Sequence, residues 1–199
     1  GFDWSGYPAD WVAKYAKDSE AGYLQYYNAW KPVSNTPAPK PTPKPAPKPT
    51  PKPSSNVFAD AVARAAAESA NPTTDLSDLC DHAVGMWYGL PHSGQPTARD
   101  HWNAIPSDRK NPGSKNAPEG ALVFYGDVNQ GQGHVVIAIG DGNVWSTDIV
   151  RKGKVDKVSI DLPVTQWGLP LLGWSDPVFP GTADFGKLNA KVTPAPTPK

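Results

Sequence analysis

The chain has 199 residues, a single cysteine, 24 prolines, and 19 acidic residues balanced by 19 basic ones. One cysteine excludes an internal disulfide framework and a cysteine-rich zinc site. No apolar run reaches membrane-spanning length, and the size suits one or two domains.

The neutral total hides an asymmetry. Residues 56–186 hold 15 acidic and 9 basic side chains, a net charge of −6. An acidic domain argues against nucleic-acid binding, which needs a basic footprint.

Residues 1–31 are dense in aromatics, with Trp11, Tyr15, Tyr23, Tyr26, Tyr27 and Trp30 near helical spacing. Thirty residues rarely fold alone, so this segment reads as the end of an upstream module or as an appendage. Residues 32–55 alternate proline with Lys, Thr and Ala, which makes an extended, solvated spacer. Residues 187–199 read as the start of a second proline-rich linker. The expectation is a piece of a longer modular protein, with its folded domain at 56–186.

That domain opens with an alanine-rich helix at 57–70, ended by Asn71-Pro72. The only cysteine follows, in Asp75-Leu76-Ser77-Asp78-Leu79-Cys80-Asp81-His82. Thr74 and Ser77 are candidate helix caps. With Ser77 as cap, Cys80 falls in the first turn, where the helix's positive end favours a thiolate. Asp78 and Asp81 oppose that, so the thiol needs a basic partner. Residues 92–118 read as a long loop carrying a short helix near 97–104.

The texture then changes to strands. Ala121–Tyr125 is one, and Gly133–Gly140 is another, leading into the hairpin turn Asp141-Gly142. Asn143–Val150 returns, Val155–Ile160 follows, and Leu171–Trp174 closes the sheet. Helices first and an antiparallel meander second make an α+β domain.

Four histidines could serve Cys80. His82 points to another side of the helix, and His92 and His101 read as surface residues of the loop region. His134 opens a strand after a glycine-rich turn and can face a cleft. Ser146 and Asp148 share one face of the strand paired to it through the hairpin. An acid there could orient the imidazole, so the residues read as Cys80 nucleophile, His134 base and Asp148 orienter.

Three groups of residues could hold a metal. Asp127, Asn129 and Gly131 echo half of a calcium loop, but Ala138 stands where its acidic twelfth residue belongs. Asp75, Asp78 and Asp81 could gather an ion beside the thiol. Cys80, His82 and His134 lack a standard zinc spacing. The expectation is no metal and no cofactor.

The helix-borne Cys80, then Pro118-Glu119-Gly120-Ala121-Leu122-Val123-Phe124, then Gly133-His134-Val135-Val136-Ile137-Ala138-Ile139-Gly140, resembles the papain-fold NlpC-like and CHAP cysteine peptidases of bacterial cell-wall turnover and phage lysins. Trp167-Gly168 and Gly173-Trp174 add to the likeness, which covers about residues 56–180. It departs at the nucleophile, where the common Asp-Cys-Ser-Gly is Leu79-Cys80-Asp81-His82. It departs again at the third position, which falls on Ser146 by direct register.

The resemblance implies a papain-like fold, with the nucleophile helix packed on an antiparallel sheet. It implies an endolysin-type amide hydrolase acting on peptidoglycan at the bacterial cell wall, as an endopeptidase or N-acetylmuramoyl-L-alanine amidase. The enzyme would be secreted or released during phage lysis, with no membrane insertion. Trp145 and Ser146 are expected to touch substrate, and the Cys80 amide to donate to the oxyanion. The alternative is a non-catalytic wall-binding or phage structural module on the same fold.

Overall fold

A computed structural model describes residues 56–127, 131–182 and 192. The aromatic segment 1–31, the spacer 32–55 and all of 187–199 except Val192 lie outside the described residues.

Helix α1 spans Val57–Ala70, and its start is capped by Asn56, whose Oδ1 accepts from the Phe58 amide at 3.1 Å. It buries Ala61, Val62, Ala65 and Glu68. Helix α2 spans Cys80–Trp87. Helix α3, Ala98–Ala104, is capped by Thr97, whose Oγ1 accepts from the Asp100 amide at 3.0 Å. A 3-10 turn at Ser107–Arg109 leads into β1, Lys110–Pro112. Strands β2 (Leu122–Tyr125), β3 (His134–Gly140), β4 (Asn143–Thr147) and β5 (Val155–Ser159) follow, then helix α4 (Leu162–Trp167) and β6 (Leu171–Ser175).

The six strands form one antiparallel sheet in the order β1-β6-β2-β3-β4-β5. The domain is therefore α+β, with the expected meander running from β2 to β5. β2 is buried at every residue and β3 over His134–Ala138. Such strands read as unbroken apolar runs because both faces are covered. β1 escaped the sequence reading because it ends in Pro112, a residue that interior strands exclude and edge strands tolerate.

The two faces carry separate cores. Leu122, Phe124, Val135 and Ile137 meet Leu76, Val84, Trp87 and Phe179 on the face covered by α1 and α2. Val123, Tyr125, Val136, Ala138 and Val144 meet Trp174, α4 and Val192 on the other. Each fully buried large side chain contributes roughly 1.5–3 kcal/mol. Val192 is 6 % exposed, and its amide donates to Asp176 at 2.8 Å. Packed residues of this domain thus extend beyond position 186.

Candidate active site

Cys80 is the first residue of α2, which starts two positions later than a Ser77 cap requires. Asp78 takes a left-handed conformation, φ 60°, and buckles the chain just before the helix. Ser77 folds back on Asp75, with its amide at 3.0 Å and its hydroxyl at 2.6 Å from Oδ1. Leu76 is fully buried and anchors the loop through its amide, which donates to the Gly153 carbonyl at 3.0 Å. Leu79 closes the turn by donating to the Leu76 carbonyl.

A second loop clasps the first. Asp148, at φ 67°, leaves the β4 ladder. Its Oδ2 accepts from the Asp78 amide at 3.0 Å and its Oδ1 from the Gly153 amide at 2.7 Å. At the rim, Lys152 Nζ reaches Asp78 at 3.1 Å. Both partners are exposed, so that pair adds little stability.

His134 begins β3. Its ring is 5 % exposed and sits edge-on to Trp167 of α4, with centroids 5.1 Å apart. Its Nε2 lies 2.9 Å from Ser146 Oγ, and that hydroxyl is 3.1 Å from the Thr147 carbonyl. A carbonyl only accepts, so the hydroxyl proton points at Thr147 and Ser146 accepts from Nε2–H. The neutral ring therefore leaves its Nδ1 lone pair free of a proton.

A cleft of about 640 Å³ opens at this end of the sheet. Cys80, His134, Asp148, Asp78, Lys152, Trp167 and Leu169 line it. Cys80 enters from the face covered by α2, and His134 from the face packed on α4.

Burial pushes the Cys80 thiol up to about 12, and the Asp81 charge adds to it. The amides of Val135 and Asp81 pull the other way. Burial lowers His134 to about 4. The resting site therefore holds a thiol and a neutral imidazole, although a helix start by itself favours the thiolate.

Three expected roles are placed differently. Asp148 does not orient His134, because its left-handed backbone turns both carboxylate oxygens onto the Asp78 and Gly153 amides. Ser146 is fully buried under the ring of His134, so it contacts the histidine rather than a substrate. Trp145 points to the opposite face of β4 and packs against the core under the helices. Trp167 supplies the aromatic wall that Trp145 was expected to give; its place in the Trp167-Gly168 pair was the available signal.

His101 is not a surface residue but is completely buried, with Nδ1 at 2.6 Å from Asp81 Oδ1. The acidic residues considered for a metal have separate partners. Asp75 accepts from Ser77, Asp78 pairs with Lys152, Asp81 with His101, and Asp127 with Arg99. Asn129 lies outside the described residues, and among those described no three His, Cys, Asp or Glu gather as a metal site.

His134 also makes stability depend on pH. Its folded value, about 4, lies below the 6.5 of an unperturbed ring. Between those values the unfolded chain binds a proton that the folded chain refuses, so stability falls as pH drops through that window. A buried ring of this kind contributes on the order of 2–3 kcal/mol. His82 is shifted the same way, by burial first and then by His92. His101 is shifted upward and does not add to the acid loss. Urea unfolding at pH 7 and pH 4.5 should show lower stability at the acid end, with a smaller difference in His134→Gln. An equal drop in that variant would exclude His134 as a source.

The described residues thus form an α+β domain that holds a helix-start cysteine and a sheet-borne histidine in one open cleft. No family model matches the chain, and no curated protein matches it. Among solved structures, it is similar to the crystal structure of the P60 domain of an antigen from M. avium subspecies paratuberculosis. The match covers 59% of this chain and 93% of that one, at 23% identity and a TM-score of 0.37.

Proposed function

We propose that this domain hydrolyses an amide bond in the peptide part of bacterial peptidoglycan, with Cys80 as nucleophile and His134 as base. The observation that carries the reading is the shared cleft, in which Cys80 opens a helix and His134 keeps an unprotonated Nδ1. The Cys80 and His134 motifs noted in the sequence support it independently.

The resting thiol gives its proton to His134 Nδ1 as Sγ attacks the amide carbonyl carbon. The oxyanion lies near the start of α2, where the Cys80 amide has no acceptor within its helix. The imidazolium then protonates the leaving nitrogen as the C–N bond breaks, which leaves a thioester and a free amine. Water attacks the thioester and passes a proton to Nδ1. The C–S bond breaks and Sγ recovers its proton. Ser146 holds the ring in the tautomer this route needs.

The enzyme works at the cell wall, and the proline-lysine spacer at 32–55 fits a module tethered near an insoluble polymer. An endolysin role, as peptidase or amidase, is the finer form of the same proposal. The high thiol value favours the second reading, a wall-binding module that performs no cleavage.

The test is loss of turbidity of purified bacterial walls, with new amino groups identified by mass spectrometry. Wild type should clear walls and release amines from one kind of amide, while Cys80→Ala should do neither. Equal clearing by both, or wall binding by both without clearing, would sink the hydrolase reading.

A further inference from the structure

Behind the nucleophile lies a buried charged pair that the reaction route above does not use. Asp81, the residue after Cys80, points into the core and is 7 % exposed. Its Oδ1 meets His101 Nδ1 at 2.6 Å, and its Oδ2 accepts from the Ser93 hydroxyl. On the far side of the ring, His101 Nε2 lies 2.6 Å from the Val178 carbonyl oxygen.

With Asp81 as a carboxylate, that geometry fixes the protons. A carbonyl can only accept, so Nε2 carries a hydrogen. A carboxylate that already accepts from Ser93 also accepts from Nδ1, so the second nitrogen carries a hydrogen too. Both ring nitrogens donate, which makes the ring an imidazolium.

Two aromatic rings enclose it: Phe124 of β2 in a T-shaped arrangement at 5.2 Å between centroids, and Phe179, after β6, tilted at 5.4 Å. From α2 comes Asp81, the one charged group in contact with the ring among the described residues. The Asp81 charge raises His101 despite complete burial.

We propose that His101 remains an imidazolium through the neutral range and is a positioning residue for Cys80, fixing the first turn of α2 and cancelling the Asp81 charge beside the sulfur. Without His101, Cys80 would ionise next to the full Asp81 charge in a poorly solvated site. With it, the sulfur meets a dipole. The inference rests on the proposed function only in treating Cys80 as a nucleophile; its test does not need hydrolysis.

Cys80 is the sole cysteine, so iodoacetamide labelling of the whole 199-residue chain reports on it alone. At pH 9, His101→Gln should label about ten-fold more slowly than wild type, one decade for each unit of upward shift in the thiol. Asp81→Asn combined with His101→Gln removes both charges and should return the rate to within about two-fold of wild type. A purely structural role predicts the opposite, because a loosened helix start exposes the sulfur and speeds labelling in both variants. An unchanged or faster rate in His101→Gln, or no recovery in the double variant, would overturn the proposal. If His101→Gln does not fold, the nitrogen-15 spectrum of the wild-type ring decides. Two protonated nitrogens at pH 7 support the imidazolium, and one overturns it. A protein that shows this labelling pattern yet leaves walls intact would refute the hydrolase reading and keep this one.

Discussion

Cys80→Ala and His134→Gln should each lower amide hydrolysis by about a thousand-fold or more, and the double variant should be no slower than the worse single one. In the proposed route the two groups act in one step. Without the sulfur there is no thioester, and a base with nothing to deprotonate does no work. Without the Nδ1 lone pair the thiol keeps its proton, and at about 12 it keeps nearly all of it at neutral pH. Glutamine suits the second position because its amide can still donate to Ser146, so the buried acceptor stays satisfied while the base is lost. Initial rates on a soluble wall peptide, beside urea midpoints for each variant, separate lost chemistry from lost folding. Losses that multiply in the double variant would mean that the two side chains act in different steps.

Gly153→Ala should destabilise the domain by about 2–4 kcal/mol and disable the cleft along with it. Gly153 sits at φ 69°, where an L side chain already costs about 1–2 kcal/mol. A Cβ there would lie 2.0 Å from Asp75 Oδ1 and 2.8 Å from Ser77 Oγ. Both are side-chain ends and can retreat, but only by giving up the hydrogen bond that each makes with the other in the turn before Cys80. The same glycine receives the Leu76 amide on its carbonyl and gives its own amide to Asp148. Gly142 is the control. Its φ is 71°, but nothing lies within 4 Å of a Cβ built on it, so Gly142→Ala should show the backbone cost alone. Urea unfolding of the two variants should differ by about 1–3 kcal/mol. Equal losses would mean that the two loops are not tightly clasped.

The hydrophobic pattern revealed more of this fold than of its site. Five strands and the Asp141-Gly142 hairpin could be read because apolar runs and turn residues report burial directly. Cys80 and His134 were legible because one opens a helix and the other a strand, places that sequence punctuation marks. Asp148 was misleading for a local reason. The β3–β4 register, extended one pair beyond Thr147, sets it opposite His134, but its left-handed backbone takes it out of the ladder before the pair forms. Asp78 hid the start of α2 in the same way. Trp145 follows strand parity, sharing a face with Val135 and Ile137 rather than with His134. His101 looked like a loop residue because nothing local announces a charge partner twenty positions earlier. These are failures of backbone geometry and distant pairing, neither of which a run of residue types encodes.

The clasp between the two loops also bears on when the site comes into being. Its bonds join residues about seventy positions apart, Asp78 to Asp148 and Leu76 to Gly153. During synthesis Cys80 emerges first, then His134, and the clasp residues later still. Contacts so distant in sequence form only after the intervening chain has collapsed around the sheet. A growing chain thus carries its thiol through the synthesis of the residues between Cys80 and Gly153 without the loop that shapes the cleft.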